Sequence, residues 1–235
     1  EVRCDIEALR LLAKHPRIRR LDRAHRGEHS VQILLPWLQV ALERFTVVPL
    51  VVGQLSPEVA QEVADALRPL LDDATLLAIS TDFTHQGADY GYQPFTDRIA
   101  EQVKALDLRV FQALADRDPL RFERLLDETG ATVCGRHPLS VLVRLLGDTD
   151  RVDLLRHDTS ASISGDDASS VSYLAAAVVA PVAWAATGID VVTAIRSVRA
   201  EMKSRKTGSA ARLRMPRRET SKPSSRNHLA VPKRL

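Results

Sequence analysis

Apolar residues recur at helical spacing in several stretches of the chain, and between them lie short continuous apolar runs. Residues 5–15 read as a short amphipathic helix. Residues 16–26, PRIRRLDRAHR, form a charged connector with room for an edge strand. VQILLPWLQVALERF, from Val31, predicts a helix to Phe45 with Pro36 near its beginning. Residues 45–53, FTVVPLVVG, are almost uninterrupted apolar and β-branched positions closed by glycine, which is how a strand covered on both faces reads. SPEVAQEVADALRPLL predicts a helix from Ser56 to about Leu71. Ser56 is placed as N-cap, Pro57 at the first helical position and Glu58 in the first turn, where a negative charge suits the dipole. TLLAIS, residues 75–80, reads as a second buried strand. A helix pair follows over 96–114 and 119–128, and another helix begins at Pro138. A strand is expected over 154–164. SGDDASSV makes a turn, and SVSYLAAAVV is the last strand, 170–179. Strands alternating with helices give an α/β fold. We expect a three-layer sandwich with a mostly parallel or mixed sheet and flanking helices. In such sheets ligands collect beyond the C-terminal strand ends.

Composition divides the chain. Of its 33 Lys and Arg residues, 13 fall after residue 195, together with only 2 of the 30 acidic residues. The body is therefore acidic and the tail basic, although the whole is net +3. Residues 203–235 are rich in Ser, Arg, Lys and Pro and poor in large apolar side chains, so a disordered tail is expected. Residues 180–202 read as an Ala-rich helix or linker, and residues 1–179 as the folded domain. The apolar run over 174–195 contains Pro181, Gly188 and Asp190 and much alanine. It reads as a core strand entering an Ala-rich helix rather than as a membrane span. Two distant cysteines, Cys4 and Cys134, do not make a disulfide framework, and the first residues mix charges with apolar positions. A reducing, cytoplasmic setting is expected.

Three segments carry candidate chemistry. TVCGRHPLS, 132–140, places Cys134 just ahead of a predicted helix. The helix dipole and Arg136 would both favour a thiolate there, and a thiolate is a nucleophile or a metal ligand. His137 adds a titratable group. The plainer reading is a small buried residue in a turn. STDFTHQG, 80–87, places Asp82 and His85 three apart, just past a buried strand. If the chain turns helically there, both side chains face one way. They could bind a metal or carry acid/base catalysis, or Asp82 could cap a turn beside a surface histidine. GEHS holds Glu28 and His29 ahead of a helix, as pocket residues or as capping and solvation. Asp82, His85 and Cys134 together form a carboxylate, imidazole and thiolate set suited to iron, zinc or copper. His15, His25 and His228 lie in charged connectors or the tail, and His157 in a predicted strand with no evident partner. The chain contains no Walker loop, GxGxxG, GxSxG or CxxC, which argues against nucleotide binding, an esterase elbow and a zinc knuckle.

EHSVQILLPWLQ, FTVVPLVVG, STDFTHQG, VCGRHPLSVL and DDASSVSYLAAAVV, in this order and spacing, resemble the Memo family. Its bacterial and archaeal members are known as AmmeMemoRadiSam system protein B. The resemblance covers about residues 1–179. Thr81 stands where the family's SDFxH motif has serine. Memo proteins are similar in fold to class III extradiol dioxygenases of the protocatechuate type. The resemblance therefore implies an α/β sheet with a metal pocket at one end, binding iron or copper through histidines and a cysteine. Cys134 matches that cysteine, Asp82 and His85 match the pocket's acidic and histidine positions, and His29 matches its EHS motif. Two departures matter. The family's Pro-His-Ala-Gly and Gly-Pro-x-His motifs, whose histidines are the other metal ligands, occur nowhere in this sequence. Leu34 stands where Gln or His is usual. The expectation is an N-terminally truncated Memo-like domain lacking the first strands of the sheet, with a basic tail that the family does not share.

The resemblance implies metal-dependent redox or dioxygenase-like chemistry, impaired by the missing histidines. Cys134, Asp82 and His85 are assigned to the metal, Asp82 and His85 also to acid/base catalysis, and Glu28, His29, Arg136 and His137 to the pocket. The expected partners are a metal ion and a small molecule or peptide, with no membrane. A non-catalytic protein-binding module using the same pocket is the alternative. Non-specific nucleic-acid binding through the tail is a third reading, because the tail is basic but lacks aromatic residues for stacking.

Overall fold

The computed structural model describes residues 1–179. The Ala-rich segment and the basic tail lie outside the described residues. The described chain is a mixed α/β structure with eight helices and both parallel and antiparallel strand pairs.

The first strand, β1 (Arg3–Cys4), pairs in parallel with β2 (Thr46–Val47). Helix α1 (Ile6–Leu12) starts where the Asp5 carboxylate accepts the Ala8 N–H at 2.9 Å. The charged connector holds one helical turn, α2 (Asp22–His25), and no edge strand. Helix α3 (Ser30–Ala41) carries Pro36 in its middle rather than near its start, and none of its residues is buried. Helix α4 (Pro57–Leu67) follows its predicted cap, with the Ser56 hydroxyl accepting from Val59 N–H. Its buried Ala60, Ala64 and Leu67 recur at helical spacing and join Leu12, Val141 and Leu145 in one apolar cluster.

The longest helix, α5 (Ile99–Ala115), and α6 (Pro119–Thr129) pack in a second cluster around Phe111, Phe122, Leu126 and Val110. Asp118 caps α6, and Gly130 ends it in the left-handed conformation, φ 65°. Helix α7 (Arg136–Leu145) begins after Gly135 and bridges the clusters, with Leu139 and Val143 in one and Val141 and Leu145 in the other. The remaining elements are β3 (His85–Gln86), β4 (Arg151–Thr159), a helical turn α8 (Ala161–Ser164) and β5 (Ser170–Val179). β5 is central in an antiparallel sheet of order β3-β5-β4. The register pairs His85 with Val171 and Thr159 with Ser172, and an irregularity interrupts β4 between Leu154 and Arg156.

Two expected strands form incompletely. Of residues 45–53 only Thr46 and Val47 enter a ladder, and residues 75–80 enter none. A strand exists only where a neighbour takes its backbone groups, and no described strand lies beside 75–80. Leu76 and Leu77 are consequently exposed instead of buried. The strand expected over 154–164 is shifted. It starts at Arg151 and gives way to α8 after Thr159.

Candidate functional site

The loop ahead of β3 and the turn ahead of α7 meet side by side. The contact depends on Gly135, because a β-carbon there would collide with Thr81 Oγ1 and Cβ. With no side chain in the way, Gly135 N–H donates to Thr81 Oγ1 at 2.9 Å, and that hydroxyl donates to the Asp82 carbonyl at 2.8 Å. The Asp82 N–H in turn donates to Cys134 Sγ at 3.1 Å. Cys134 is thus an exposed thiol held by the neighbouring loop, just ahead of helix α7.

His85 is fixed through its backbone. Thr132 Oγ1 accepts its N–H and donates to its carbonyl, both at 2.8 Å. The His85 ring meets Tyr90 edge-on, with centroids 5.1 Å apart. Its Nε2 lies 3.7 Å from Asp82 Oδ2, too far for a hydrogen bond. This buried nitrogen has no hydrogen-bond partner among the described residues. One ligand atom each from Asp82, His85 and Cys134 lie within 4.8 Å of one another. The three residues expected to share a metal are therefore brought together. Their donor set and the unpartnered Nε2 fit a transition-metal ion.

The remaining predicted residues have other neighbours. Arg136 pairs with Asp127 on α6 at 2.7 Å. His137 Nδ1 accepts the Leu55 N–H at 3.3 Å, which ties α7 to the segment leading into α4. Burial, reinforced by the Arg136 charge, pushes the His137 pKa down. Glu28 accepts the Ser30 N–H at 2.8 Å, and this bond holds its carboxyl below the usual range. His29 is exposed at the N-cap of α3 and makes no side-chain capping bond.

Sequence reasoning missed four neighbours of the site. Tyr90 meets the His85 ring edge-on. Tyr173 on β5 has its phenol pKa raised by burial and then by the Asp82 and Tyr90 charges. Behind the loop, Asp107 is fully buried and His157 nearly so, and they are linked Oδ2 to Nε2 at 2.7 Å. One signal for this pair was available. Asp107 interrupts the apolar stripe Val103, Leu106, Val110, Phe111 and Leu114 of α5, and a carboxylate on a buried stripe must have a partner. A separate hollow of about 360 Å³, lined among others by Tyr92, Phe95, Leu106 and Arg109, contains none of these site residues.

A family model described as "Memo-like protein" matches residues 1–177. A MEMO1 family protein of Thermococcus onnurineus is 32% identical over 187 residues, covering 74% of this chain and 64% of the relative. A MEMO1 family protein of Methanothermobacter thermautotrophicus is 34% identical over 180 residues, covering 73% and 60%. Protein MEMO1 of Homo sapiens is 30% identical over 164 residues, covering 64% and 55%. The matches thus span between 55% and 64% of these relatives' length. With the model matched through nearly all of the described residues, the chain belongs to the Memo family.

Proposed function

We propose that the pocket formed by Cys134, His85 and Asp82 binds a first-row transition metal, iron or copper, and serves metal-dependent redox chemistry. The observation that carries this reading is the convergence of three ligand atoms within 4.8 Å, one of them a buried nitrogen otherwise left without a partner. Cys134 would supply a thiolate, His85 its Nε2 and Asp82 a carboxylate oxygen. Bound iron or copper would add one-electron redox chemistry. The chain's own residues hold the ligands in place. Gly135 and Thr81 bring the two segments together, Thr132 clamps the His85 backbone, and the Asp82 N–H steadies the sulfur.

Three ligands leave coordination positions open. This sequence lacks the two histidine motifs expected from the resemblance, so affinity should be modest. Extradiol ring cleavage calls for a site of two histidines and a carboxylate, and a thiolate among the donors disfavours it. The test is anaerobic titration of the chain with Fe(II) and Cu(I). One equivalent should bind, and Cys134→Ser should weaken binding by roughly tenfold or more, since thiolate is the softest donor present. Equal binding in wild type and Cys134→Ser would sink the assignment. Catechol turnover with added Fe(II), if present and lost in His85→Ala and Asp82→Asn, would restore the ring-cleaving reading.

The open rim favours a second reading, in which the same pocket receives a peptide without catalysis. Cys134 is exposed, and Tyr90 and Tyr173 are 42% and 44% exposed. Metal binding without turnover of any redox substrate would support it.

A further inference from the structure

A chain of buried polar groups lies behind the loop that carries Asp82 and His85. Asp107 on α5 is fully buried in the larger apolar cluster's helix pair. Its Oδ1 accepts both the Thr84 hydroxyl, at 2.6 Å, and the Thr84 N–H, at 3.3 Å. Its Oδ2 is 2.7 Å from Nε2 of His157 on β4, whose side chain is 5% exposed. The Thr84 carbonyl accepts from Ser172 N–H and Ser172 Oγ at 2.9 and 3.1 Å. Every polar group of Thr84 is thereby fixed, and Thr84 is the residue immediately before His85.

Stability alone does not account for this arrangement. A buried carboxylate–imidazole pair is costly to desolvate, and apolar residues of similar volume often serve stability as well or better. What the pair provides is direction. It is an acceptor that holds one main-chain N–H and one hydroxyl of the site loop, backed by a donor that keeps the carboxylate turned the right way. Groups hydrogen-bonded directly to metal ligands commonly change affinity by about 10–100-fold when removed, and Asp107 acts one residue further back, through Thr84, so the lower end of that range is expected.

We propose that Asp107 and His157 are positioning residues, which set the main chain at Thr84 so that Asp82 and His85 face Cys134. This rests on the reading of that pocket as a metal site. Thr84 is the link. Cutting it should disturb the pocket as much as breaking the pair does, even with Asp107 and His157 left in contact.

The test uses the full chain in a Cys4→Ser background, because Cys4 is also an exposed thiol. Co(II) is titrated while its thiolate charge-transfer band is recorded. In the metal-free chain, the rate of Cys134 alkylation by iodoacetamide is measured at one fixed pH. His157→Leu and Thr84→Val should each weaken Co(II) binding by roughly tenfold or more, shift the band and change the alkylation rate. His157→Gln retains a donor toward Asp107 and should stay near the wild type in all three. The double variant should lose little more than either single one, because both act through one link. Unchanged Co(II) affinity, band and alkylation, with only a lowered unfolding temperature, would overturn the proposal and leave the pair a packing feature. If His157→Leu does not fold, Thr84→Val alone decides. If the wild type gives no cobalt band, the metal reading fails, and the alkylation rates still decide whether the pair positions the loop.

Discussion

Gly135 shows how one residue without a side chain can assemble a site. Its place beside Thr81 leaves no room for a methyl group, and the neighbour is a β-branched residue on a hydrogen-bonded loop. Gly135→Ala should cost about 1–3 kcal/mol as an overpacking substitution, measured by urea unfolding. It should also separate Cys134 from the Asp82 N–H, so metal affinity should fall with stability. His137 gives a second prediction at this scale. Its Nδ1 must be unprotonated to accept the Leu55 N–H, and its folded-state pKa is pushed below the ordinary 6.5. As pH falls below that ordinary value, the unfolded chain takes up a proton that the folded chain resists, so stability declines. The contribution is complete above 6.5 and is lost on acidification. Urea midpoints from pH 7 to pH 5 should fall less steeply in His137→Gln, whose amide oxygen still accepts. An identical slope in the variant would assign the decline to other groups. The residues themselves reveal what was legible. Cys134, Asp82 and His85 could be named because each sits in a short stretch of unusual chemistry next to an element boundary. Of the Asp107–His157 pair only Asp107 left a signal, on the buried stripe of α5; its partner was not legible, because the two are 50 positions apart and meet only when α5 packs on β4.

Helices α6 and α7 are joined by a polar latch between apolar faces. Arg144 meets Glu123 at 2.7 Å, with side chains only 6% and 17% exposed, and Ser140 donates to the same carboxylate. Arg144 also donates to the Ser140 carbonyl one turn back, at 2.9 Å. Removing one member of a buried pair strands the other, which costs about 3–5 kcal/mol. Because Glu123 is partly exposed and keeps the Ser140 hydroxyl, Arg144→Leu should cost less than that, about 1–3 kcal/mol. Arg144→Leu with Glu123→Leu should recover much of the loss, because no charge is then left unpaired. A double variant as unstable as the single one would mean that the latch contributes more than charge pairing. Elements whose formation is decided locally could be read from the sequence. Ser56 with Pro57 marks the start of α4, Pro119 that of α6, and the run SVSYLAAAVV became β5 with its predicted bounds. Elements decided by a distant partner could not. The runs at 45–53 and 75–80 have strand composition but find little or no ladder among the described residues. The His85–Gln86 strand, only two residues long, exists because β5 passes beside it.

At the scale of the molecule, the charge division and the placement of the core argue together about the basic segment. Among the described residues, 1–179, lie both apolar clusters and all three proposed metal ligands. The body up to residue 195 is net acidic, whereas 13 of the 33 Lys and Arg residues follow it. Metal binding and polyanion binding should therefore separate cleanly. A chain ending at Val179 should keep the unfolding midpoint and the metal affinity of the longer one. It should lose whatever affinity the full chain has for duplex DNA, measured by fluorescence anisotropy at low salt. That affinity in the full chain should fall steeply as salt rises, since it comes from displaced counterions. It should also be indifferent to sequence, because residues 203–235 contain no aromatic residue to stack on bases. DNA binding that survives the truncation would place a nucleic-acid surface on the acidic body. Metal affinity that collapses with the truncation would mean that residues after 179 supply a ligand, and the three-residue assignment would have to be enlarged.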